Sequence, residues 1–194
     1  GGGRPYPGNV APPEDAAQPV TGVAFSEALR ALVAALDELG APAAIIGGVA
    51  VIVHGVPRAT VDVDATVSAR EVEVERLVRV LVSHGIEPRV DGALELARTR
   101  HVFLGRHLAT GVAIDVSLAW LPFEEEAIAK AEEREVAGTR ARVVRPEDLL
   151  IYKLVAARPR DMDDAENLLV VHGRGMNLRR VRSVVAEFAA VLED

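Results

Sequence analysis

Cysteine is absent from the chain, which excludes disulfides, thiolate zinc sites and a cysteine nucleophile together. Aromatic residues make up only 4%, so an interior has to be built from Val, Leu, Ile and Ala. Lysine is almost missing: of 22 basic residues only Lys130 and Lys153 are lysines. Acidic residues are in excess and leave a net charge of −7. That argues against coating nucleic acid through bulk electrostatics, though not against a local basic site. The longest apolar stretch, Ala41 to Val56, is interrupted by Gly47, Gly48 and His54. It falls short of the roughly 20 residues needed to span a bilayer and reads as buried core. No basic-then-apolar leader is seen, and the expectation is a cytoplasmic protein with no membrane partner. The five histidines, His54, His84, His101, His107 and His172, have no HExxH spacing, which gives a histidine metal site little support. Neither a GxGxxG fingerprint, a Walker loop nor a GxSxG elbow occurs, so dehydrogenase, P-loop and hydrolase readings lapse.

What is present is a chain of 194 residues that is 49% apolar, enough for one good-sized domain or two small ones sharing a core. Residues 1–22, rich in Gly and Pro and without periodicity, are expected to form a flexible tail. Phe25, Leu29, Leu32, Val33 and Leu36 fall at helical spacing, and Gly40 is placed to end that helix. Ala43 to Ile46 reads as a buried strand that breaks at Gly47-Gly48. Val61 to Val67 and Val112 to Leu118 both alternate strictly, as strands with one buried face do. Ser68 and Glu71 have the spacing of a capping box for a helix running to about Ser83. A weaker signal then leads to a possible strand near Val102 to Leu104. After Pro122 come a short acidic helix and a pair of short strands around Gly138-Thr139. Pro146 opens a further helix, Pro159 separates it from the next, and a last amphipathic helix covers about Leu178 to Leu192.

The chemistry centres on Asp62-Val63-Asp64. On a strand, the two-residue spacing puts both carboxylates on one face, roughly 7 Å apart. Aspartate is a poor strand former and two carboxylates on one face repel, so a divalent cation between them would relieve the pair. A solvated polar face on an edge strand is the competing reading. Asp115 lies on the polar face of the other alternating strand. Should the two strands be neighbours, three carboxylates converge and two metal ions can be held for in-line phosphoryl transfer. Gly47-Gly48, between strand and helix, would let backbone approach a ligand closely and offer amides to phosphate; alone, such a pair is more often punctuation. Lys153 sits within LLIYKLVAA in a chain that otherwise prefers arginine, which suggests a need for a compact ammonium. Its rival reading is a lysine snorkelling from a buried helix. Asp161 could be catalytic or a helix-start charge. Arg58 is placed to reach phosphate, while Arg58 and Thr60 could equally shape a loop. Arg174, Arg179, Arg180 and Arg182 form a basic cluster, either a solvated face or an RNA-backbone contact.

The run GGVAVIVHGVPRATVDVDATV resembles the signature of the DNA polymerase beta-like nucleotidyltransferases, in which a glycine pair opens a helix and a DxD strand follows. Its Ala and His-Gly, its Arg-x-Thr before the DxD, and the later run RPEDLLIYKLVAARPRDMDDAENL are similar to the AbiEii-type toxin branch. With Asp115 in AIDVSL, the resemblance covers about Ala43 to Leu168. It implies an α/β (α+β) fold: a nucleotidyltransferase core over residues 23–145, with a small mixed sheet, and a helical C-terminal part over 146–194 packed on it. It further implies that Gly47 and Gly48 grip triphosphate oxygens, with Arg58 and Thr60 beside them. Asp62, Asp64 and Asp115 would hold Mg2+, Asp115 would also act as base, Lys153 would contact the nucleoside triphosphate (NTP), and Asp161 would orient a partner group. A departure is Gly47-Gly48 where the superfamily often has Gly-Ser. The implied reaction moves a nucleotide from an NTP to an acceptor hydroxyl, an RNA (tRNA) 3′ end in a toxin that has an antitoxin partner. Transfer to a protein or small molecule, or a non-catalytic nucleotide-binding partner module, are the alternatives.

Overall fold

The computed structural model describes residues 22–192; the expected tail falls, but for Gly22, outside them. The first helix, α1 (Val23–Leu39), buries the stripe Phe25, Leu29, Leu32 and Leu36. It ends where Gly40 turns left-handed at φ 64° and donates its N–H to the carbonyls of Leu36 and Asp37. Strand β1 (Ala43–Ile46) leads directly into the short helix α2 (Gly47–Val53), and β2 (Asp62–Ser68) follows. The remaining elements are α3 (Val74–Ser83), β3 (Ile86–Pro88), α4 (Ala93–Arg100), β4 (Val102–His107), β5 (Ala113–Ala119), α5 (Pro122–Ala129), β6 (Glu132–Val136), β7 (Thr139–Val143), α6 (Pro146–Ala156), α7 (Pro159–His172) and α8 (Leu178–Leu192).

The strands form one mixed sheet in the order β3-β4-β5-β2-β1-β7-β6, the α/β arrangement expected. Strand β2 runs antiparallel to β1 and parallel to β5, so it lies inside the sheet. Val63, Ala65 and Val67 of β2 and Ile114, Val116 and Leu118 of β5 are buried in one core with the apolar stripes of α1 and α3. Leu149, Leu150 and Ile151 of α6, Ala165 and Leu168 of α7 and Val181 of α8 belong to the same core. Burying these branched side chains, at about 25 cal/mol per Å², is the main force holding helices on the sheet.

One local expectation fails. Ser68 caps no helix: it is the buried last residue of β2, and its hydroxyl donates to Glu125. Helix α3 begins at Val74 instead, after Glu73 and without a side-chain cap. A capping box needs its Ser in the half-exposed turn before a helix, and the sheet extends through that position. Among the described residues no helix is long and apolar enough to cross a membrane.

Candidate active site

The register of β2 and β5 sets Asp64 directly beside Asp115, and Asp62 beside Ala113. Strands so paired lie about 4.8 Å apart, so Asp62, Asp64 and Asp115 share one face of two adjacent strands. Because β2 is internal, the reading of Asp62 and Asp64 as a solvated edge-strand face falls. All three carboxylates line a cavity of about 390 Å³, together with Gly47, Gly48 and Lys153. Burial pushes the Asp64 carboxyl up to about 6, and the charges of Asp62 and Asp115 push the same way, against Lys153 and the Gly48 amide. Asp62 accepts a hydrogen bond from the Thr60 hydroxyl at 2.7 Å.

The two glycines are required by close approach. Gly47 has φ +63°, and a Cβ on it would stand 1.9 Å from Asp64 Oδ2. A Cβ on Gly48 would stand 2.5 Å from Thr60 Oγ1 and 3.0 Å from Arg58 Cζ. Thr60 and Arg58 therefore fill the space that a side chain at 48 would take, which gives a physical reason for glycine there.

Lys153 is 6% exposed, so it does not snorkel to water. Its ammonium donates to Asp161 Oδ1 at 2.9 Å and pairs with Asp164 Oδ2 at 2.9 Å. Asp161 also accepts from Arg158 at 2.6 Å, and Asp164 accepts from Arg58 at 2.5 Å. Burial opposes the charge on Asp161, but the bonds from Lys153 and Arg158 outweigh it and hold the carboxyl below its usual range. Asp161 is in the first turn of α7, where the helix-start reading put it, and it also pairs with Lys153 and Arg158. Asp164 and Arg158 were not singled out as site residues from sequence. The signal was there: Asp161 and Asp164 are three apart on a helix and so share a face.

Asp115 is turned to a group that sequence reading missed. Nη2 of Arg89 lies 2.8 Å from both of its carboxylate oxygens. The three carboxylates are thus brought to one cavity but not to one point, and among the described residues no group of three His, Asp or Glu is arranged to hold a metal ion. The donor set still suits one. Asp62 and Asp64 have no ion-pair partner among the described residues, whereas Asp115, Asp161 and Asp164 do. Two crowded oxygen donors without a cation, one with its proton held up to about 6, match the hard-oxygen preference of Mg2+.

The basic cluster near the last helix is corrected at one position. Arg180 is bound to Asp148 at 2.7 Å and to Glu126 at 3.0 Å, and Asp148 is fully buried. It joins α8 to α6 and α5 and is not available to a phosphate backbone, while Arg174, Arg179 and Arg182 are exposed.

Several solved structures resemble this fold. The antibiotic-resistance factor ANT(2'')-Ia is 19% identical over 87% of this chain and 92% of its own, with a TM-score of 0.59. Its complex with adenylyl-2''-tobramycin is 20% identical over 86% and 98%, with a TM-score of 0.56. The lincosamide antibiotic adenylyltransferase LnuA, with lincomycin bound, is 14% identical over 75% and 96%, with a TM-score of 0.53. At such identities the likeness is one of fold. Comparison with curated proteins gives no match. Residues 24–193 match the family described as "Nucleotidyltransferase of unknown function (DUF6036)", which gives the enzyme class without placing the chain in the toxin branch. This chain belongs to that nucleotidyltransferase family.

Proposed function

We propose that the cavity between β2, β5, α2 and α6 is the active site, and that it transfers a nucleotide from an NTP to the hydroxyl of an acceptor. The observation that carries this reading is the face shared by Asp62, Asp64 and Asp115, which lines one cavity with Gly47-Gly48 and Lys153. Asp62, Asp64 and Asp115 would hold Mg2+, which supplies neutralising charge to phosphate oxygens when bound. The amides of Gly47 and Gly48 take triphosphate oxygens, since only glycine lets backbone come this close. Lys153 offers a compact ammonium to the same group, oriented by Asp161 and Asp164, while Arg58 and Thr60 shape that wall. Asp115 accepts the proton of the acceptor hydroxyl. The new bond joins acceptor oxygen to the α-phosphorus, and the bond to the bridging oxygen breaks as pyrophosphate leaves.

For the acceptor, a small hydroxylated molecule is the reading we favour. The support for it is that ANT(2'')-Ia and LnuA are antibiotic-directed proteins of like fold. An RNA 3′ end is the second reading, supported by the exposed Arg174, Arg179 and Arg182; the toxin role and an antitoxin partner depend on it. Incubation with each α-labelled NTP and either a cell-metabolite fraction or total RNA tests both. Label should appear on a small molecule and be lost with Asp64→Asn. Label on RNA would replace the first acceptor reading by the second, and label transfer that survives Asp64→Asn would refute the site.

A further inference from the structure

Arg89 follows β3 directly, and its amide donates to Leu104 of β4 at 3.0 Å, so its backbone is tied into the sheet. Leu104 is in register with Asp115, and Asp115 with Asp64. Arg89, just past the end of β3, therefore stands in one row with Leu104, Asp115 and Asp64 of β4, β5 and β2, on the face that lines the cavity. The Arg89 side chain crosses Leu104 to reach Asp115, and one nitrogen, Nη2, spans both carboxylate oxygens. Among the described residues Asp62 and Asp64 have no such partner. The pair is accessible, with side chains 29% and 24% exposed, and it uses one nitrogen where a fork-to-fork arrangement would use two. Such a contact can be exchanged for a stronger cation.

We propose that Arg89 is a positioning residue that holds the third carboxylate away from Asp62 and Asp64, so that a divalent cation and Arg89 compete for Asp115. This rests on the proposed role of Asp115 as third carboxylate. In the resting protein the guanidinium pairs with Asp115, and cation binding at the pair Asp62 and Asp64 is completed only when Asp115 leaves Arg89. The site therefore binds its cation weakly until the exchange occurs, and removing Arg89 makes the carboxylate available in advance.

Mn2+ alone, titrated into chelator-stripped full-length protein and followed by the electron paramagnetic resonance of free Mn2+, tests this. Arg89→Gln should tighten Mn2+ binding roughly tenfold, within the span of coupling between residues in contact. Adding Asp115→Asn to it should remove the gain. Arg106→Gln makes the same charge change on neighbouring β4 without a contact to Asp115, and should alter affinity less than twofold by long-range electrostatics. Should the Gln variant fold poorly, Arg89→Lys keeps the charge but loses the nitrogen that spans both oxygens, and should give a smaller gain. Equal Mn2+ affinity in wild type and the Arg89 variants, or an equal gain from Arg106→Gln, overturns the proposal while leaving the active site in place. Wild type that binds no Mn2+, or binds it unchanged after Asp64→Asn, overturns the metal-site reading itself.

Discussion

Gly47 and Asp64 are packed so closely that any side chain at 47 would overlap the Asp64 carboxylate, with 1.9 Å left between a Cβ and Oδ2. The positive φ of Gly47 adds a second obstacle, and such a backbone costs a residue with a Cβ about 1–2 kcal/mol. Gly47→Ala should therefore lower stability by at least that amount and displace Asp64. Chemical denaturation and NTP turnover check this together. Retention of both would mean that α2 can shift without disturbing the carboxylates.

Asp64 ties stability to pH. Its carboxyl lies at about 6 in the folded protein against an ordinary 3.8, so the folded state binds the proton more tightly. The stabilisation is complete below about 4 and is lost as pH rises through about 6. For the metal-free protein the ceiling on this effect is ~3 kcal/mol. Asp64→Asn should flatten the slope between pH 4 and 6 and leave the protein more stable than wild type at pH 7.5 in chelator, while NTP turnover is lost. Denaturant midpoints across that range decide it; a parallel pH profile for the two proteins would contradict it.

Lys153 lies between Asp161 and Asp164, all three buried. Removing one partner of such a group costs about 3–5 kcal/mol, less here because Arg158 and Arg58 remain on the carboxylates. Lys153→Ala should lose roughly 2–3 kcal/mol on that scale and raise the KM for NTP. Lys153→Arg should restore charge but not the KM, since a planar fork replaces a compact ammonium. Full transfer activity in the alanine variant would remove Lys153 from the proposed site.

Arg180 and Arg179 are adjacent in sequence and differ in what they touch. Arg180→Ala strands the fully buried Asp148 with, among the described residues, Arg145 as its remaining cation, and should cost roughly 2–4 kcal/mol in thermal or chemical unfolding. Arg179 is exposed, and its replacement by Ala should stay within about 0.5 kcal/mol. If RNA is the acceptor, Arg174, Arg179 and Arg182 mutated together should cut RNA labelling and spare NTP binding. Equal stability of the Arg180 and Arg179 variants would refute the bridging role.

Local periodicity made much of this protein legible from its residues alone. The alternation around Asp62-Val63-Asp64 and around Asp115 gave both strands and the shared face of the first two carboxylates, because side-chain direction in a strand is set by neighbouring residues. The Gly40 stop and the Pro146 and Pro159 starts were readable for the same reason, each being a backbone property of one residue. The Ser68-Glu71 spacing misled because a buried strand can run through a sequence that also fits a cap. Whether Asp115 lies beside Asp64, whether Lys153 meets Asp161 and Asp164, and whether Asp115 faces Arg89 were decided by tertiary structure. Those pairings join residues of separate elements, and Asp115 and Arg89 meet only through the register of β3, β4 and β5. The sequence determined which side chains were candidates for the chemistry; the packing of distant strands and helices decided which of them meet.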